Sequence, residues 1–267
     1  MRSGRCNYVH VQRGLPWDKT RTFPGWSVRR LALALAVALA AGVGLPAAWA
    51  QTQQGRPQQE ATPLGGAGAQ EGVLLFNGRN LDGWTPVIGR PGVRPEEIWS
   101  VAEGGVLVCK GRGKPSGYLR TVREDFENYT LTLQWRFPEG TPGGNSGVLL
   151  HAGESNVLGV WPRSMEAQLN HGHAGDIWVI GTTCRIENAE QRVIGRRHLN
   201  LTDNSERPIG QWNDYKIVCR EDEITIWVNG DLVNHVTQCS VRKGAICLQA
   251  EGADIEFRNI RLVPLRP

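Results

Sequence analysis

Past its first fifty residues the sequence contains no run of ten or more residues with helical periodicity, which excludes helix bundles and folds built on crossover helices. It also lacks a surplus of basic charge. Residues 1 to 50 hold seven of the 30 Lys and Arg and, as Asp18, one of the 26 Asp and Glu. The formal +4 of the whole chain therefore becomes 23 basic against 25 acidic residues, or −2, downstream. That balance presents no basic field for nucleic acid. No two cysteines stand in C-x-x-C spacing, so metal–thiolate and dithiol redox chemistry have no motif here. No Cys stands at the end of the apolar run of the leader either, which excludes a lipoprotein cleavage site.

What the leader does contain is an export signal. Arg29-Arg30, the uncharged run Leu31 to Leu45, Pro46, and then Ala48-Trp49-Ala50 give the n-region, h-region and A-x-A cleavage pattern of a secretory signal. Cleavage after Ala50 is expected to release the protein to the periplasm or the medium of a bacterium, with no stable membrane span left. Leu31 to Ala50 is twenty uncharged residues, long enough for an uncleaved anchor, but Gly42, Gly44 and Pro46 favour cleavage. Residues 1 to 27 are long for an n-region, and a translation start near Val28 is the alternative reading. Residues 51 to 70, rich in Gln, Pro, Gly and Ala, have almost nothing large and apolar to bury and read as a disordered linker.

From residue 71 to 267 the pattern is short alternating runs broken by turn residues. In Asn128 to Phe137, Leu131, Leu133, Trp135 and Phe137 share one face, and Thr130, Thr132, Gln134 and Arg136 share the other. Residues 223–228 run into Asn229-Gly230 and then Asp231-Leu232-Val233, the strongest short hairpin signal. Trp212 to Arg220, Gly244 to Ala250 and Ala253 to Val263 add further strands. About a dozen strands without helices imply two sheets packed face to face, an all-β jelly-roll sandwich. The predicted core is Leu131, Leu133, Trp135, Ile217, Ile226, Val228, Ile246, Leu248 and Phe257. Five cysteines follow the leader; Cys219 and Cys247 lie in apolar strands and read as buried thiols, and Cys184 with Cys239 is the pair expected to bridge.

The residues suited to chemistry gather between Gly143 and Gly181. Alternation places Glu166 and Gln168 on one face of a strand over Met165 to Asn170, with Ala167 and Leu169 on the other. Around them lie His151, His171, His173, Asp176, Trp161, Trp178 and the turn G-G-N-S-G with Asn145. Glu166 is the first choice for a base or a metal ligand, His151 for an acid–base group or second ligand, and Asp176 for a further catalytic carboxylate. Each has a structural alternative: a carboxylate bonded to a neighbouring strand, a satisfied histidine, a turn cap. Gln168, Asn145, Arg136 and His173 are expected to hydrogen-bond a sugar, and Trp161 and Trp178 to stack on it. Arg136 and Glu251 are expected to form an ion pair beside the cleft.

Several motifs in order resemble one family: F-N-G with L-D-G-W (Phe76 to Trp84), G-G-N-S-G, E-A-Q at Glu166 to Gln168, G-Q-W-N (Gly210 to Asn213), V-N-G, and L-Q-A-E-G (Leu248 to Gly252) through F-R-N-I. Together they resemble the 3-keto-disaccharide hydrolase domain, formerly a domain of unknown function, over nearly all of Gly72 to Leu265. The resemblance implies a concanavalin A-like jelly roll of the lectin and glucanase type, and cleavage of glycosides whose glucose ring carries a ketone at C3.

An ordinary glycosidase needs two carboxylates across the scissile bond. The E-x-D-x-E type of strand is absent here and E-x-Q stands in its place, so the paired-acid route loses support. A C3 ketone acidifies the hydrogen on C2 and permits elimination by one base, followed by hydration. A divalent cation, Ca or Mg, held by Glu166 with His151, would stabilise the enolate. The expected function is an exported enzyme acting on 3-keto-disaccharides or other 3-keto-glycosides. A non-catalytic carbohydrate-binding module and an ordinary endo-glucanase are the competing readings.

Overall fold

Alternation along one strand orders the first sheet. In residues 129–136, Leu131, Leu133 and Trp135 are buried while Thr130, Thr132, Gln134 and Arg136 face outward. The computed structural model describes residues 72–202 and 204–266. The expected export signal at 1–50 and the expected linker at 51–70 lie outside the described residues.

Two antiparallel sheets make up the domain. The first has nine strands in the order β10 (Arg185–Ile186), β15 (Asp231–Thr237), β14 (Glu223–Val228), β13 (Asn213–Arg220), β6 (Tyr129–Arg136), β17 (Asp254–Pro264), β4 (Val106–Lys110) and β3 (Trp99–Ala102), with β1 (Val73–Leu74) also on β17. The second has eight in the order β11 (Val193–Ile194), β12 (Arg197–His198), β9 (Ile177–Ile180), β8 (Ser164–Gln168), β7 (Gly147–Ala152), β16 (Ala245–Ala250), β5 (Gly117–Thr121) and β2 (Trp84–Ile88). Among the described residues the only helical elements are one α-helical turn, Ala189–Arg192, and a 3-10 turn, Pro95–Glu97. This is the two-sheet jelly-roll sandwich that the strand pattern implies. Chain neighbours β13, β14 and β15 pair as a meander through the Asn229-Gly230 turn, whereas β8 and β16 reach one sheet only by long connections.

The core lies between the sheets. All nine residues predicted for it are buried there, and Val148, Leu150, Met165 and Ala167 supply the facing layer from β7 and β8. A smaller apolar cluster covers half of the outer face of the second sheet. It joins Tyr118, Leu149, Ile180 and Cys247 to Val160 and Trp161, which come from the connection between β7 and β8. Strand β8 is therefore covered on both sides, and all five of its residues are buried. The uncovered half of that outer face is where polar side chains collect.

The five cysteines among the described residues are all free thiols, so the bridge expected between Cys184 and Cys239 is not formed. Burial pushes Cys219 and Cys247 up to about 12, so both stay protonated and pack as small apolar groups.

Leu133 is 2 % exposed within the inter-sheet core, so Leu133→Ala should leave a cavity and cost ~2 to 5 kcal/mol. Urea unfolding followed by tryptophan fluorescence measures this, and a loss below 1 kcal/mol would show that the face is not packed as described.

Candidate active site

The site begins with a bare patch of backbone. Gly147 on β7 lies between Gln168 on β8 and Gln249 on β16. A Cβ at Gly147 would come within 2.5 Å of Gln249 Oε1 and 2.9 Å of Glu166 Oε1, so only glycine leaves room for these two side chains to converge. Alternation aims Glu166 and Gln168 outward from the core, and the cross-strand neighbours of Glu166 are Leu149 and Trp178. Gln168 Oε1 accepts from the backbone N–H groups of Leu169 (2.9 Å) and Asn170 (3.0 Å), which leaves its Nε2 for the pocket.

The glycine-rich turn supplies the next wall. A Cβ on Gly144 would meet Ala253 Cβ at 2.6 Å, and the Gly144 carbonyl accepts from His171 N at 2.9 Å, so the turn sits close between two loops. Ser146 Oγ donates to Gln249 O at 2.9 Å. This seating pairs Asn145 with Glu251 and Gly252 just beyond β16. Trp161 and Leu158, bridged across a tight turn, close another side, and Trp178 closes the far end. Arg196, from the turn between β11 and β12, completes the rim with its guanidinium 5.3 Å from the centre of the Trp178 ring. The enclosed volume is about 200 Å³, on the order of one sugar ring.

Electrostatics distinguish two of the lining groups. Burial pushes Glu166 up to about 8, the nearby Glu251 pushes it the same way, and the Gln249 amide and Arg196 act in the opposite direction. Glu251 is pushed up to about 7 by burial, with Arg196 opposing. Near neutral pH the pair therefore holds about one proton, mostly on Glu166. A buried acid beside a half-buried base in one pocket suits proton transfer.

The expected site residues divide. Glu166, Gln168, Asn145, Trp161 and Trp178 line one pocket. His151 does not join them. A bulge sets Leu150 and His151 opposite Ile246, and His151 adopts φ 51°, which turns its ring inward. Its Nε2 lies 3.2 Å from Glu127 O, its ring meets Tyr129 edge-on, and burial pushes it down to about 4, so it is neutral. Asp176 is also structural: it accepts from Arg197 Nε at 2.6 Å and from Asn200 N at 2.7 Å, which ties the end of β9 to β12. Arg136 belongs to the outer face of the other sheet, where it pairs with Glu256 at 2.6 Å and covers Trp212, so the expected pairing with Glu251 is not made. His173 is exposed in the loop after β8 and does not line the pocket.

These positions also bear on the expected cation. His151 lies too far round the bulge to ligate with Glu166, and among the described residues no three His, Cys, Asp or Glu converge. Two carboxylates and Asn145 fall short of the six or more oxygens of a Ca site, whereas a Mg ion, which keeps several waters, would need only Glu166 and Glu251; no step below runs through a metal. Sequence reasoning missed Glu251, Arg196 and Gln249 as site residues. The signal for two of them was present in Gln249-Ala-Glu251, an alternating amide and carboxylate at a strand end.

Because the folded state raises the Glu166 pKa, its ionisation opposes folding as pH rises from about 4.5 to about 8. Glu166→Gln cannot ionise. It should melt within about 1 °C of the parent at pH 5 and ~5 °C higher at pH 9. Parallel melting curves for the two proteins across that range would show that Glu166 is not held protonated.

No curated protein matches this chain. Two crystal structures from Parabacteroides distasonis ATCC 8503, each carrying the name glycosyl hydrolase, share its fold. One is 21% identical over 73% of this chain and 94% of that chain, at a TM-score of 0.52. The other is 22% identical over 73% of this chain and 100% of that chain, at a TM-score of 0.53. Residues 71–263 match the 3-keto-alpha-glucoside-1,2-lyase-like domain. The match spans most of the chain, including every strand that builds the pocket, and the chain belongs to that family.

Proposed function

We propose that this chain is an exported enzyme that cleaves glycosides carrying a ketone at C3, by elimination across C1 and C2 followed by hydration. The observation that carries the reading is a pair of carboxylates, Glu166 buried and Glu251 half-buried, sharing about one proton in a pocket on the order of one sugar ring. Family membership supports the sugar class, and the leader at residues 1 to 50 supports export.

The proton inventory balances. Ionised Glu251 removes the C2 hydrogen as a proton, and the bonding pair moves into a C2–C3 double bond with charge on the C3 oxygen. Collapse of that enolate breaks the C1–O bond, and protonated Glu166 gives its proton to the departing oxygen. Glu166, now ionised, takes a proton from water as the oxygen adds to C1, and Glu251, whose carboxyl proton has exchanged with solvent while the leaving group departs, gives a solvent-derived proton to C2. Both carboxyls end as they began. The base assigned to Glu166 on sequence grounds thus becomes the proton donor, because burial holds its proton.

The second carboxylate also revives a paired-acid hydrolysis, in which Glu166 protonates the leaving group and Glu251 works at C1. Isotope distinguishes the two routes. Elimination in D2O places deuterium at C2 of the product, whereas displacement at C1 leaves C2 with its hydrogen. Turnover of a 3-keto-disaccharide with deuterium at C2, and none of the unoxidised parent or a β-glucan, is the expected result. Turnover of the parent without deuterium would replace this reading by the hydrolytic one, and saturable binding without turnover of any of them would make the domain a binding module.

The same pair sets the pH dependence. Below about 7 Glu251 gains a proton and ceases to be a base, and above about 8 Glu166 loses the proton it must donate. The kcat/KM profile should be a narrow bell centred between those values, and Glu166→Gln should remove its alkaline limb while lowering the rate ~10²-fold or more.

A further inference from the structure

We propose that Arg196 reads the ketone: its guanidinium donates to the C3 oxygen and takes up the negative charge that moves onto that oxygen as the C2 proton leaves. This rests on the elimination reading above and identifies what makes the pocket specific for keto sugars.

Arg196 is the one cationic side chain lining the pocket among the described residues. It occupies the second position of the two-residue turn Gly195-Arg196 that joins β11 to β12. The turn is anchored on both sides. The carbonyl of Arg196 accepts from Val179 N at 3.0 Å, and its neighbour Arg197 is held by the buried Asp176 at 2.6 Å. That anchoring gives Asp176 a purpose at one remove: it holds the turn that presents Arg196.

The guanidinium itself is unspent. It rests over the Trp178 ring, and among the described residues it donates no hydrogen bond and closes no ion pair, although Glu166 and Glu251 line the same pocket. A guanidinium has five N–H donors in a flat fork suited to paired oxygens. In a cavity on the order of one sugar ring, those donors meet the oxygens of the bound sugar. A ground-state carbonyl or hydroxyl gains a hydrogen bond in which only the donor is charged. An enolate oxygen gains one in which donor and acceptor carry opposite charges, so the interaction strengthens as the reaction proceeds, which is the condition for catalysis rather than mere binding. A sugar with a hydroxyl at C3 never develops that charge.

The test compares the parent enzyme with Arg196→Gln and Arg196→Lys, using a 3-keto-disaccharide as substrate and its unoxidised parent as a competitive inhibitor. Arg196 is exposed on a turn, so both variants should fold, which circular dichroism and melting temperature check. Arg196→Gln should lose ~10²- to 10³-fold in kcat on the keto sugar, while the inhibition constant of the unoxidised sugar changes less than about threefold. Arg196→Lys should recover part of the loss, since it keeps the charge without the fork. Three results would overturn the assignment while leaving the elimination reading in place: Arg196→Gln turning over within about fivefold of the parent enzyme, equal losses for keto turnover and unoxidised-sugar binding, or a parent enzyme silenced by chelation and restored by Mg2+ alone while Arg196→Gln behaves the same. A parent enzyme with no activity on the keto sugar defeats the elimination reading itself, and this assignment with it.

Discussion

The structure is organised around the desolvation of Glu166. It sits mid-strand in β8, which is covered by the core on one face and by the pocket walls on the other. Among the described residues no cation forms an ion pair with its carboxylate, and burial together with Glu251, outweighing Arg196, holds its proton well into the neutral range. An ionised carboxylate in such a place opposes folding, which marks Glu166 as a candidate functional group. Gly147 is the complementary feature, since a side chain there would occupy the space in which Glu166 and Gln249 meet.

The neighbouring elements follow from that constraint. The connection between β7 and β8 folds back over part of the sheet's outer face and, through Trp161, walls one side of the pocket. The glycine-rich turn delivers Asn145 to the strand end that carries Glu251. Asp176 and Arg197 tie β9 to β12, and their ion pair fixes the turn at Arg196. Most of these groups act by placing others, and it is the pocket-lining side chains that face the cavity.

Much of the fold was legible in the sequence because it depends on local periodicity. The alternation in β6 and β13 and the Asn-Gly turn between β14 and β15 all appear where the pattern puts them. The same rule placed Glu166 and Gln168 on one face. It failed at His151, where a β-bulge breaks the two-residue period and turns the ring from the outer face to the core. It also failed at Arg136, whose face was read correctly but whose sheet was not, since strand alternation says nothing about which of two sheets a strand joins.

By itself, then, the sequence determined an all-β sandwich, its core face and the family to which the chain belongs, because alternation, turn chemistry and ordered motifs are properties of neighbouring residues. Only the tertiary structure decided the composition of the site. Glu251 comes from the end of β16 and Arg196 from the turn before β12, and both reach Glu166 through strand pairings between segments far apart in the chain. The apparent lack of a second carboxylate beside Gln168 was a statement about one strand. The second carboxylate arrives across the sheet, where the order of strands, and not the order of residues, sets which groups meet.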